Sequence, residues 1–282
     1  MKHFFIIVNA LKDEGLRVTK AMKQYIEDRG GICDYCVSVS EEGDVRVEHS
    51  RIPKETEAVF VIGGDGTLIR AARDIVDRQL PLIGINLGKL GYLCELEEAT
   101  AFSAVDTLLA NHFTIEERMM LEGCILKQGA AVMEQLALND VVIHRTGALQ
   151  ILRIRVSVNG QYLASYRADG MIVATPTGST GYSMSAGGPI VDPKASMLLI
   201  TPINAHDLNA KSIVISAEDE VELQIDTRRS EKDEQAEVSF DGNRGVEVRV
   251  GDRIVIRRAA VSTRILKLSE IGFLEILRKK MQ

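Results

Sequence analysis

The feature that most limits the fold is a change of hydrophobic period near residue 113. Before it, short continuous apolar runs alternate with helical stripes. Phe4 to Val8 is such a run and suits a strand buried on both faces. Val18, Met22, Tyr25 and Ile26 then fall on one face of a helix that Gly30 and Gly31 would end. Ile32 to Val39 predicts a strand, as do Ala58 to Ile62 and Pro81 to Ile85. Leu68, Ala71, Ala72, Ile75 and Val76 make a second helical stripe, and Phe102 to Leu109 a third. Strands and helices in alternation with short connections predict a parallel α/β sheet.

After Phe113 the period becomes two. Ile154, Val156 and Val158 alternate with charged or small polar residues and run into Asn159-Gly160, a strong two-residue hairpin signal. Val221, Leu223 and Ile225 repeat the alternation, and Val246, Val248 and Val250 lead to a second turn at Gly251-Asp252. Residues 228–235 have no apolar face and predict a solvated loop. Phe273, Leu274 and Leu277 suggest a final short helix. The expected organisation is an α/β domain over 1–112 and an antiparallel β domain over 113–267, with 268–282 returning to pack on the first.

Composition excludes several classes. The 282 residues carry 34 Lys and Arg against 40 Asp and Glu, a formal charge of −6, which argues against a general nucleic-acid or anionic-membrane binder. No early apolar run reaches the length of a signal-peptide core or a membrane span, so the expected address is cytoplasmic. Four cysteines are too few for a disulfide scaffold. Cys33 and Cys36 spell C-x-x-C, but they follow a helix stop and run into a strand, whereas a redox pair needs a helix N-terminus. The five histidines are far apart, and no metal-ligand spacing occurs.

Three segments carry chemistry. Gly63-Gly64-Asp65-Gly66-Thr67 sits between an apolar strand and a helix, the place where open parallel sheets bind ligands. Its glycines let main-chain N–H groups approach an anion, and the helix start favours phosphate. An acid inside a phosphate-attracting turn needs a reason: Asp65 ligates a metal, takes a proton from an attacking hydroxyl, or simply caps the helix in a tight turn. Residues 84–90 look like a P-loop but are one residue short of it and have no Ser or Thr after Lys89. With Gly91-Tyr92-Leu93 they form a second glycine-rich loop expected to face the same crevice as Asp65. No G-x-G-x-x-G follows the first strand, which disfavours a dinucleotide-dependent dehydrogenase. The second segment, Asp169 to Pro189, is dense in hydroxyls and glycines and predicts a polar wall around a ligand, with Tyr182 as a flat apolar face. In the third, Asn139-Asp140 at a strand mouth suits either a ribose or base edge, or a simple turn.

Together these segments, with Thr175-Pro176-Thr177-Gly178-Ser179-Thr180 and Ser239-Phe240-Asp241-Gly242, resemble the NAD kinase family over essentially the whole chain. The family usually has Asn-Glu where this chain has Asn139-Asp140, a carboxylate one methylene shorter. The resemblance implies a Rossmann-like α/β domain followed by an antiparallel β-sandwich. It also implies transfer of the γ-phosphate of ATP, or of polyphosphate in some members, to the 2′-hydroxyl of the adenosine ribose of NAD. By the same likeness Asp65 is the general base, and Gly63, Gly64, Gly66 and Thr67 hold phosphates. A divalent cation, Mg²⁺, rides mainly on the phosphates. Asn139 and Asp140 hold adenosine, and Thr180, Gly181, Tyr182, Ser183, Met184 and Ser185 line the dinucleotide site. Asp169 meets the nicotinamide carboxamide and Arg167 a phosphate, while Arg70, Gln150, Asn204 and Asn243 also contact ligand. Arg167 and Asp169 are expected to reach a neighbouring subunit's site in a homodimer or homotetramer. The Gly-Gly-Asp-Gly turn alone also allows a lipid or sphingoid-base kinase, or a dinucleotide sensor without catalysis.

Overall fold

The structure, a computed structural model, describes residues 1–40, 43–44, 46–88, 91–146, 151–207, 210–226, 235–243, 245–269 and 271–281. In chain order its elements are β1 (His3–Asn9), α1 (Arg17–Asp28), β2 (Ile32–Ser40), β3 (Gly43–Asp44), β4 (Ala58–Gly63), α2 (Asp65–Asp74), β5 (Leu82–Asn86), β6 (Leu96–Glu97) and α3 (Glu98–Leu109). Then follow β7 (Thr114–Lys127), β8 (Ala130–Ala137), β9 (Asp140–Arg145), β10 (Leu152–Val158), β11 (Gln161–Ala168), β12 (Gly170–Ala174) and α4 (Tyr182–Ser185). The chain closes with β13 (Met197–Ile203), β14 (Ile213–Ser216), β15 (Val221–Ile225), β16 (Gln235–Phe240), β17 (Val246–Arg249), β18 (Arg253–Lys267) and α5 (Phe273–Lys280). Two compact units result, one of residues 1–118 with 262–282 and one of 119–261.

The first unit is a parallel sheet in the order β5-β4-β1-β2, with the end of β18 joining β5 through Ile265 opposite Leu82. Every residue of β4 and β5 is buried, as continuous apolar strands covered on both faces require. One face packs Phe4, Ile6, Val8, Phe60 and Ile62 against Val18, Met22 and Ile26 of α1 and Ala104, Val105 and Leu108 of α3. α2 buries Leu68, Ala71 and Ala72. Gly84 on β5 is small for a reason: a Cβ there would lie 2.7 Å from both the Leu68 side chain and the Cys94 sulfur. Cys33 and Cys36 lie on β2, where burial pushes their thiols up to about 12 and about 11, so neither is a thiolate at neutral pH.

The second unit packs two antiparallel sheets. One runs β14-β13-β12-β9-β16-β17 and the other includes β11-β10-β15-β18, and the β7–β8 hairpin also belongs to this unit. Their inner faces supply Ile154, Val156, Val173, Ile200, Val238, Phe240 and Ile254 to one core. The Asn159-Gly160 hairpin has both residues at positive φ, 50° and 74°, matching the right-handed strand twist. Gly123 on β7 lies under the Phe240 ring, which a Cβ would approach to 2.5 Å. The polar stretch 228–235 falls almost wholly outside the described residues, and its last residue opens β16.

Candidate active site

In the first unit β4 ends at Gly63, Gly64 is fully extended, and Asp65 opens α2. Gly63 has no side chain because the Thr67 hydroxyl occupies that space, 2.4 Å from where a Cβ would be. Asn9, at the end of β1, donates to the same hydroxyl from Nδ2 at 3.4 Å. The Asn9 carbonyl also accepts from Lys12 N–H, closing a turn that sets the Lys12 ammonium over Gly64. Asp13, next in sequence, is no partner for that ammonium. Its carboxylate accepts from Val18 N–H, Thr19 N–H and the Thr19 hydroxyl at the start of α1. Among the described residues no acid lies within ion-pair reach of Lys12. A helix start with unpaired N–H groups, a glycine turn and a lone ammonium form a site for an anion.

Asp65 belongs to this turn but its carboxylate faces the second glycine-rich loop, as the sequence suggested. Oδ2 accepts from Tyr92 N–H at 2.6 Å, and Oδ1 from Cys94 and Leu93 N–H at 3.1 and 3.3 Å. Gly91 presses against the same carboxylate: a Cβ there would lie 2.0 Å from Oδ1. Arg70 follows on α2 and is half-buried, Gly66 is exposed, and Lys89 lies outside the described residues.

In the second unit three distant segments meet. Asp241, in the turn after β16, has φ 51°, and its carboxylate accepts from the N–H groups of Leu138, Asn139 and Asp140 at 2.9, 2.7 and 3.2 Å. Thr175 donates its hydroxyl to the Leu138 carbonyl and its N–H to the Asn139 carbonyl. Gly178 lies so close that a Cβ would stand 2.1 Å from the Asn139 carbonyl oxygen, and Gly181 comes near the Asn139 and Asp140 side chains. A cavity of about 690 Å³ opens here, and Asn139, Asp140, Asp169, Tyr182, Asn204 and Asn243 line it. Asn139 Oδ1 is buried with no hydrogen-bond partner among the described residues, an acceptor open to an N–H donor.

The other expected binding residues stand elsewhere. Ser183 is buried with its hydroxyl on Thr201, Thr180 bonds the Thr177 carbonyl, and Met184 and Ser185 are exposed on α4. Gln150 lies outside the described residues. β11 runs through Arg167 to Ala168, and only Asp169 separates it from β12. Arg167 and Asp169 therefore do not form a pair with each other. Arg167 grips Asp207 through Nε and Nη2, at 3.0 and 2.8 Å, while Asp169 takes Arg145 Nε at 2.8 Å and Asn204 Nδ2 at 3.1 Å. The Asn204 amide, and after it Arg145, hold the Asp169 carboxyl below the usual range, so it meets a ligand as an acceptor.

Sequence reasoning missed Lys12, Asn9, His144, Arg145 and Glu237. The last three line the cavity. A signal for two of them existed: along β9, Asp140, Val142 and His144 share one face, and Glu237, Ser239 and Asp241 share another. Lys12 had no such signal, because only the turn after β1 brings it to Gly64.

A parallel α/β unit with an acid in a glycine-rich phosphate turn, joined to a β-sandwich with a polar cavity, defines a nucleotide-dependent phosphotransferase. Residues 4–113 match the ATP-NAD kinase N-terminal domain and residues 138–268 the ATP-NAD kinase C-terminal domain. The NAD kinase of Agathobacter rectalis is 55% identical over 100% of this chain and 99% of its own length, and that of Lachnoclostridium phytofermentans 42% over 99% of each. In fold, the chain is similar to yeast NADH kinase complexed with NADH (TM-score 0.87, 20% identity, 100% of this chain and 87% of that one). It is also similar to an NAD kinase from Archaeoglobus fulgidus in complex with ATP (TM-score 0.78, 23% identity, 98% of each). The chain belongs to the NAD kinase family. It is an enzyme, which displaces the lipid-kinase and sensor readings that the glycine turn alone allowed.

Asp140 yields a prediction. Burial, and secondarily the charge of Asp241, pushes its carboxyl up to about 7. An unfolded Asp titrates near ~3.9, so the native state holds an extra proton between the two values. Stability contributed by this group is therefore complete at low pH and falls as pH rises through that window. Asp140→Asn should melt a few degrees above wild type at pH 8, at about 2–4 °C per kcal/mol, with the gap closing near pH 4. Equal melting temperatures at pH 8 would show that no buried carboxylate ionises there.

Proposed function

We propose that Asp65 is the general base of the family's reaction, in which the γ-phosphate of ATP passes to the 2′-hydroxyl of the adenosine ribose of NAD and gives NADP. The observation that supports this most directly is the Asp65 carboxylate, oriented by three N–H donors beside a phosphate turn. An ionised carboxylate accepts the hydroxyl proton as the oxygen attacks phosphorus, a contribution of about 10²–10⁴-fold. The glycines at 63, 64 and 66, the start of α2, Thr67 and the Lys12 ammonium would hold the donor phosphates. Among the described residues no three His, Cys, Asp or Glu side chains converge as a metal nest. The phosphate oxygens of ATP are hard ligands that suit Mg²⁺, which when bound neutralises charge on the transferring group.

The cavity of the second unit would take NAD. Asn139 Oδ1 suits the exocyclic amine of adenine, Asp140 the ribose hydroxyls, Tyr182 a ring face, and Asp169 the carboxamide N–H of nicotinamide. Asn204 and Asn243 would add polar contacts, with Arg167 near a phosphate. Among the described residues no helix is long and apolar enough to cross a membrane, and a cytoplasmic address fits a chain of this composition.

Asp65→Asn keeps the shape of the side chain and removes the base. It should lower kcat for NADP formation at least 100-fold while the NAD dissociation constant stays within about three-fold. Near wild-type turnover would remove Asp65 from the mechanism.

Lys12→Met should raise the KM for ATP and lower kcat by about ten-fold or more, leaving the KM for NAD unchanged, and Lys12→Arg should restore part of the loss. An unaltered ATP profile would make Lys12 an ordinary surface lysine.

A homodimer or homotetramer is the assembly we assign, supported by edge strand β11, which leaves Tyr162 57% and Leu163 39% exposed. In it Arg167 and Asp169 would complete a neighbour's site as well as border their own. Mixing inactive Asp65→Asn and Asp169→Ala proteins under subunit exchange should then regain activity, because some sites combine an intact Asp65 with the partner's intact Asp169. No recovery after verified exchange would mean that each subunit works alone.

A further inference from the structure

Asp65 is held by a loop, and that loop is held by the C-terminal end of the chain. Tyr92, Leu93 and Cys94 present three consecutive N–H groups to the carboxylate. Such a cradle fixes an acid only where its own backbone is fixed. The described residues between β5 and β6 belong to no strand or helix, so no ladder supplies that restraint.

Cys94 packs against Gly84 of β5, and two side-chain contacts fix the loop on either side of it. Glu95 directly follows the cradle, and its side chain is 7% exposed. Its Oε1 accepts from Leu268 N–H at 3.0 Å, Ser269 N–H at 2.8 Å and the Ser269 hydroxyl at 2.7 Å, and Lys267 Nζ stands 2.9 Å from Oε2. At the other end of the cradle, the Lys280 ammonium of α5 lies over the Tyr92 ring, 5.5 Å from its centre. α5 has no buried residue and leaves Leu274 74% exposed, so it adds little to the core. Its contact on Tyr92 is what ties it to this loop.

We infer that Glu95 is a positioning residue for phosphoryl transfer: it clamps the loop to residues 267–269 and so holds the N–H cradle that aims Asp65. A buried carboxylate is a poor device for stability alone, since a well-packed apolar residue serves as well or better. It is a good device for fixing geometry, and a misplacement of about 1 Å at a reacting group can cost about 10²-fold in rate. The inference rests on Asp65 being the base.

The test compares full-length Glu95→Ala and Glu95→Gln with wild type, measuring kcat per NAD-binding site, KM for NAD and melting temperature. Glu95→Ala leaves the Leu268 and Ser269 N–H groups without their acceptor, and kcat per site should fall 10–100-fold with KM for NAD within two-fold. Glu95→Gln keeps an oxygen for those donors and should recover most of the rate. A merely structural Glu95 would lower the melting temperature and the number of NAD-binding sites but leave kcat per site unchanged. That result, or an equal loss in both variants, overturns the inference. Should Glu95→Ala fail to fold, Ser269→Ala, which removes the hydroxyl donor to Glu95 Oε1, takes its place, with a several-fold lower kcat at constant KM expected and an unchanged kcat overturning the inference. The underlying reading fails separately, through an active Asp65→Asn; an inactive Asp65→Asn beside a full-rate Glu95→Ala sinks this inference alone.

Discussion

The cavity of the second unit depends on one carboxylate. Asp241 gathers three consecutive N–H groups, those of Leu138, Asn139 and Asp140, just where β9 begins. Without it these donors would face a low-dielectric interior unpaired, each at a cost of about 1–3 kcal/mol. With it the Asn139 and Asp140 side chains are directed into the cavity, and the carbonyls of Leu138, Asn139 and Asp140 are left for the Thr175 hydroxyl, the Thr175 N–H and the Asp241 N–H in turn. The interaction has an electrostatic consequence: the Asp241 charge stands near Asp140, and with burial it raises that neighbour's carboxyl to about 7.

The first unit solves a similar problem by the same chemistry. There the acid is the proposed base and the backbone is its support, whereas at Asp241 the acid is the support. In both places glycine permits the approach. Gly91 lets the loop touch the Asp65 carboxylate, and Gly178 lets its turn touch the Asn139 carbonyl. At neither position is a positive φ the reason; close packing is. Alanine at 178 would force backbone apart, whereas alanine at 91 would drive into the Asp65 carboxylate itself.

Much of the fold was legible because burial writes itself into period. Phe4 to Val8, Ala58 to Ile62 and the alternation from Ile154 to Val158 became β1, β4 and β10, and Asn159-Gly160 became the turn that its composition demands. Asp65, Asn139 and Asp140 were legible because polar residues beside strand ends, and an acid in a glycine turn, contradict simple core or loop chemistry. The partners of Arg167 and Asp169 were not legible: they are Asp207 and Arg145, each from a segment more than 20 residues away.

The sequence by itself determined the two architectures, the phosphate turn and the family, since these depend on local periodicity and on contiguous motifs. Only the tertiary structure decided which side chains share a space. Lys12 reaches Gly64 because a turn after β1 meets the turn after β4, and Glu95 meets Ser269 across 174 positions of chain. His144 and Glu237 border the same cavity because β9 and β16 pair in one register. The physical reason is that propensity and pattern act over a few residues, whereas a site is made where strands set side by side bring distant loops to one edge.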